Sequence, residues 1–181
     1  MNALVISYSY TGNNEALANG VASLLRADRV RIEDAKRRSG WTVFLDMLMD
    51  RTPPTVRPAC EAEGRDVVVF IGPVWMGMVA SPLRACFERL RPTIGRYAFA
   101  SVSGGADGPN PGLAAELERR LGKAPVAIAD LHIAGLLPPE PRPRRKDTSA
   151  YRISGEEAGR LAEAVVAALR DAASRDATAR A

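Results

Sequence analysis

Cysteine is almost absent: Cys60 and Cys86 are the only two in 181 residues, and their spacing fits neither a metal site nor a redox motif. That excludes a disulfide framework and a thiolate-rich metal centre; both residues are expected as reduced thiols in a reducing cytoplasm. Histidine is rarer still, and His132 alone cannot build a metal cluster. Long apolar runs are missing as well. The longest, such as Val67–Ile71, have the length of a strand, far from the ~20 residues of a membrane helix. The N-terminal residues show no basic segment leading into an apolar one, so no secretory signal is expected and the anticipated location is the cytoplasm. Nor does either acid or base dominate. Lys plus Arg number 25 and Asp plus Glu 21, a formal net charge of +4. Part of the excess is local, in Arg142, Arg144, Arg145 and Lys146. The balance is too mild to indicate nucleic-acid binding, and it argues against docking on basic partners.

What is present is an ordinary apolar fraction in a chain of one-domain length, arranged as strands alternating with helices. Ala3–Ile6 is a continuous apolar run, the pattern of a strand buried on both faces of a parallel sheet. A turn from Ser9 to Asn14 leads into a helical pattern at Leu17, Val21, Leu24 and Leu25. Val30–Glu33 reads as an edge strand. Trp41–Met49 carries a helical apolar stripe that Pro53 and Pro54 end. Val67–Ile71 is the clearest buried strand, and Pro82–Leu90 the helix after it. Tyr97–Val102 and Val126–Leu131 complete five strands, separated by a helix over Leu113–Leu121 that stops at Gly122. Leu137–Lys146, rich in Pro and Arg, reads as a connection. A terminal helix from Ser154 to about Ala173 opens on a Ser154/Glu157 capping box, and residues 174–181 are expected to fray. The order predicts one α/β domain over residues 1–173, with helices on both faces of a parallel sheet and a ligand at the carboxyl ends of the strands.

The residues that carry chemistry cluster after the first strand. Ser9-Tyr10-Thr11-Gly12-Asn13-Asn14 places hydroxyl and amide groups, and unpaired backbone N–H groups, at a helix start. Such a site attracts phosphate. Gly12 permits a tight turn there. The segment is no Walker loop, since no Gly-Lys-Ser/Thr closes it, and no Gly-x-Gly-x-x-Gly, since it holds one glycine. A polar turn with Asn13 or Asn14 as helix cap is the plainer alternative.

This segment resembles the flavodoxin phosphate loop, Thr/Ser-x-Thr-Gly-x-Thr/Asn, and stands where that family has it. The resemblance continues in Pro73-Val74-Trp75-Met76-Gly77 after the third strand, similar to the first loop flanking the flavin, and in Ser103-Gly104-Gly105 after the fourth, the place of the second. It implies a flavodoxin-like doubly wound five-stranded parallel sheet of order 2-1-3-4-5, with FMN as cofactor. It also implies a redox partner protein or a small electron acceptor, reached by electron transfer or by NAD(P)H-linked reduction. Ser9, Tyr10, Thr11, Gly12, Asn13 and Asn14 would hold the phosphate. Trp75 would offer a stacking ring, and rotation of the Met76–Gly77 peptide would bring a backbone carbonyl to N5 of the reduced flavin. Two departures stand out. The chain is net basic where electron-shuttling flavodoxins are acidic. No aromatic residue lies between Ser103 and Asn110, which leaves one flavin face open to solvent, to a substrate, or to a second subunit in a homodimer. A flavodoxin-like interaction module without flavin, and a site for another phosphorylated ligand, are the alternatives. Asp107 is expected as a turn residue, His132 as a structural one, and the Arg142–Lys146 cluster as a solvated loop or an anion clamp.

Overall fold

Continuous apolar runs need apolar cover on two sides, and the computed structural model, which describes residues 1–34, 49, 55–56 and 62–178, supplies it. The five long strands are β1 (Ala3–Ser7), β2 (Asp28–Arg31), β3 (Val67–Ile71), β4 (Tyr97–Ser103) and β5 (Ala127–His132). They form one sheet in which β2 flanks β1, followed by β3, β4 and β5, each pairing parallel. This is the doubly wound order 2-1-3-4-5 of the flavodoxin-like fold. Side chains alternate along each strand. Leu4, Ile6, Val68 and Phe70 face α2 (Ser81–Leu90) and α3 (Leu113–Leu121) through Leu83, Phe87, Leu117 and Leu121. Ala3, Val5, Val67 and Val69 face α1 (Asn13–Leu25) and the terminal α5 (Gly155–Thr178) through Leu17, Val21, Ala162 and Val166. Helix α1 meets α5 so closely that a Cβ on Gly20 would stand 2.8 Å from Ala162 Cβ.

Most expected elements appear with shifted ends. The edge strand lies two residues earlier than predicted, because Ser7 pairs with Arg31 and Ile32 is buried instead of alternating outward. Helix α3 ends at Leu121, with Gly122 left-handed at φ 75°. Helix α5 runs to Thr178. The connection after β5 holds an unpredicted 3₁₀ turn (Ile133–Gly135) and a short helix, α4 (Arg145–Ala150). Asp147 closes the start of α4 by accepting the Arg144 N–H at 2.9 Å. The helix expected over Trp41–Met49 and its Pro53-Pro54 stop lie outside the described residues, apart from Met49 itself. The segments flanking that stretch meet in a short antiparallel pair, Glu33–Asp34 with Thr55–Val56.

The capping box of α5 is made as the sequence suggests: Ser154 N–H donates to Glu157 Oε2 at 2.7 Å, and Glu157 N–H donates to Ser154 Oγ at 3.1 Å. The bond from the Ser154 backbone, and after it the Tyr151 hydroxyl, lower the pKa of Glu157 below its ordinary 4.5. A carboxyl with a depressed folded-state pKa stabilises the fold above its unfolded pKa and loses that contribution as the pH falls through the folded one. Glu157→Gln is therefore expected to flatten the acid limb of stability below about pH 4.5. Thermal melts of both proteins across that range read the difference.

Candidate functional site

The chain leaves β1 toward β2 on one side and returns to β3 on the other, so the turns after β1 and β3 diverge and open a crevice at the carboxyl edge. The first turn is shaped by its own residues. Gly12 takes φ 97° as the residue before α1. Its N–H donates to Ser9 Oγ at 3.0 Å, and its carbonyl accepts the first intrahelical bond, from Ala16 N–H at 3.0 Å. The N–H groups of Asn13, Asn14 and Glu15 precede that first bond and face the crevice end of the helix.

The side chains of the two asparagines are used elsewhere. Asn14, 2% exposed, accepts from Val102 N–H at 2.8 Å and donates to Val102 O at 3.0 Å. Asn13 donates to Tyr151 O at 3.0 Å and accepts from Ile153 N–H at 3.2 Å. Their amides bind the start of α1 to β4 and to the segment between α4 and α5. That leaves the Thr11 hydroxyl and the backbone N–H groups of Asn13, Asn14 and Glu15 at the crevice end of α1.

The turn after β3 is a two-residue hairpin, Val74–Trp75 against Met78–Val79. The buried guanidinium of Arg84 holds it, Nε donating to Val79 O at 3.1 Å. Met76 and Gly77 both have positive φ, 53° and 77°, which is the type I′ turn. Rotating the peptide between them gives type II′, which calls for glycine at the first position. Methionine stands there, so Met76 opposes the rotation that Gly77 would otherwise ease. Trp75 is held edge-on between the rings of Tyr8 at 6.2 Å and Tyr10 at 6.0 Å.

Two contiguous cavities follow the crevice. One, of about 400 Å³, is lined by Tyr10, Thr11, Asn13 and Asn14 on one side, by Pro73, Val74 and Trp75 on another, and by Thr148, Ser149 and Arg152 opposite. The other, of about 420 Å³, lies between Met76-Gly77 and the loop Ser103–Pro111, with Arg145 at its mouth. Val74, Ser103, Gly104 and Thr148 border both. Every site residue expected from the sequence borders one or the other, except Ser9 and Gly12, which close the turn. The sequence reading missed Thr148, Ser149 and Arg152. Their one local signal is the Asp147 that caps α4, obscured by the preceding run of prolines.

The second loop is tied down from below. Asn110 gives its backbone N–H to Asp130 Oδ2 at 3.1 Å, and its amide to both Asp130 oxygens. His132 Nε2 lies 3.1 Å from Asp130 Oδ2, and Gly105 lies against the Cβ–Cγ bond of His132. Asp107 is at once a turn residue and the partner of Arg145 Nε at 2.8 Å. That ion pair bridges the second loop and α4 across the cavity mouth. Among the described residues no group of His, Cys, Asp or Glu is arranged to hold a metal ion, and no helix is long and apolar enough to cross a membrane.

No protein-family model and no curated protein sequence matches the chain. Solved structures do match in fold. A flavoprotein from Lactobacillus acidophilus in complex with FMN shares 16% identity at a TM-score of 0.62, over 71% of this chain and 92% of its own. A candidate flavoprotein from Bacteroides eggerthii gives 16% and 0.62, over 82% and 94%. The apo form of the Lactobacillus acidophilus flavoprotein gives 16% and 0.57, over 74% and 94%. At such identity the likeness concerns the fold, which is flavodoxin-like.

Proposed function

We propose that the crevice binds FMN and that the domain is a cytoplasmic redox protein, transferring electrons to a partner protein or carrying out NAD(P)H-linked reduction of a small acceptor. The observation that carries this reading is the division of labour within the crevice. One end offers helix N–H groups and a threonine hydroxyl, which suit a phosphate. The middle offers Trp75 and Val74, and the far end a slot bordered by Gly77, Gly104 and Gly105, where the missing side chains leave room for a ring. The FMN held by the Lactobacillus acidophilus neighbour adds support.

Bound FMN would supply the carriage of one or two electrons between donor and acceptor. The protein's part is placement. The N–H groups of Asn13, Asn14 and Glu15 with Thr11 Oγ1 would hold the phosphate. Trp75, braced by two tyrosines, would flank the ring, and the loop fixed by Asp130 would cover its other side. Tyr10 and Met76, 48% and 71% exposed, would leave the ring edge open to an acceptor or to the partner that receives the electrons.

The test is direct. Freshly purified protein is expected to be yellow, with flavin bands in the visible spectrum. Stripped protein is expected to quench FMN fluorescence on titration, and Thr11→Val to weaken FMN about tenfold while riboflavin binding changes little. NAD(P)H oxidation with a quinone as acceptor then separates a reductase from an electron carrier. Colourless protein that quenches no FMN would instead favour the reading as a flavin-free interaction module.

A further inference from the structure

A phosphate monoester carries roughly −1.5 to −2 at neutral pH, and a helix start answers with only about +0.5. The turn itself adds no cation. Tyr10, Thr11, Asn13, Asn14, Thr148 and Ser149 are all neutral, and among the described residues Arg152 is the one charged residue bordering that cavity. We propose that Arg152 supplies the positive charge of the phosphate end, and that Asn13 serves to hold it there. The inference rests on the FMN reading of the same crevice and deepens it by assigning a residue that discriminates FMN from unphosphorylated flavin.

The geometry behind it is a clip. The Asn13 amide grips the chain on both sides of Arg152, donating to Tyr151 O at 3.0 Å and accepting from Ile153 N–H at 3.2 Å. It does so across 138 and 140 residues of sequence. Residue 152 is thereby fixed beside the first residue of α1. The guanidinium is steadied in turn: NH1 donates to Ser149 O at 3.0 Å and to Tyr151 O at 2.9 Å. Those bonds use one nitrogen and leave the Nε–NH2 edge for a bidentate grip on an oxyanion. The other arginine that borders the crevice among the described residues, Arg145, is differently placed. It borders the far cavity and is neutralised by Asp107 at 2.8 Å. The two arginines therefore divide into one that is charge-compensated at the ring end and one available to an anion at the phosphate end.

The experiment compares FMN and riboflavin on stripped full-length protein by fluorescence quenching, for wild type, Arg152→Met and Arg152→Lys. Methionine keeps the length of the side chain and removes its charge. Arg152→Met is expected to raise the Kd of FMN about tenfold and leave that of riboflavin unchanged, with an unaltered melting temperature. Arg152→Lys is expected to recover part of the loss. Added salt is expected to weaken FMN on the wild type more than on Arg152→Met. Equal FMN affinity in wild type and Arg152→Met overturns the assignment, and so does an equal loss of FMN and riboflavin, which would mark a purely structural role. A wild type that quenches neither flavin overturns the FMN reading itself, a result distinct from both.

Discussion

Replacing Asn14 with alanine is expected to lower the free energy of unfolding by about 2–4 kcal/mol, the cost of leaving the backbone N–H and C=O of a buried residue both unpaired. The side chain is 2% exposed, and its amide is paired with a single residue. Val102 N–H donates to Asn14 Oδ1 at 2.8 Å, and Val102 O accepts from Asn14 Nδ2 at 3.0 Å. Alanine removes both partners where water has little access, and the neighbouring β4 residues cannot replace them. Asn14→Asp sharpens the test. Its carboxylate still accepts from Val102 N–H but faces Val102 O, oxygen against oxygen. Burial raises the pKa of such a carboxyl. Protonation restores a donor, so the deficit of Asn14→Asp should shrink as the pH falls. Urea unfolding of the three proteins at neutral and acid pH reads both effects through the midpoint at constant slope. If Asn14→Ala unfolds at the wild-type midpoint, the amide is not bracing the helix start against β4.

The same residue shows where sequence reading succeeds and where it stops. Asn13 and Asn14 were legible as special because of their place: two amides at a helix start, after a buried strand. Their partners were not. Val102 lies 88 residues away and Tyr151 138, and nothing local in the chain encodes such a pairing. Read by type alone, both amides pointed to the ligand. In the fold they position the loops around it. The sheet was legible for the opposite reason. Val67–Ile71 is apolar at every position, and only a strand covered on both faces uses such a run. Gly122 fixed the end of α3 because a left-handed residue there favours glycine. Strand β2 was placed two residues late because an edge strand with alternating charge has no apolar run to mark its ends. The α4 segment gave least. Prolines and arginines precede it, and its role in walling the crevice depends on contacts with Gly104 and Asn13, which only the folded chain brings together.

Gly105→Ala is expected to be as damaging as any change at Asn14, and its effect should reach both flavins equally. The backbone there has φ 69°, and an added Cβ would fall 2.4 Å from His132 Cβ and 2.5 Å from Cγ. The positive φ alone costs a non-glycine residue about 1–3 kcal/mol, and the overlap adds a penalty of about the same size. The imidazole has little room to yield. It stands 3.1 Å from Asp130 Oδ2, and Asp130 is bonded to both the backbone and the amide of Asn110. Moving His132 therefore disturbs the tie that holds the far end of the same loop. The loop is expected to lift instead, changing the ring-end slot while leaving the phosphate end intact. That makes Gly105→Ala the counterpart of Arg152→Met: FMN and riboflavin should weaken by the same factor, where the arginine variant separates them. The double variant Gly105→Ala/His132→Gly, set against both single variants, supplies the internal check, because only glycine at 132 removes the Cβ that makes the nearest overlap. Relief of the overlap should return part of the lost stability, leaving the strain from φ, so the two changes couple instead of adding. A single variant as stable as wild type, or a double variant whose losses simply sum, would show that Gly105 does not rest on His132 and that the second loop owes its position to something else.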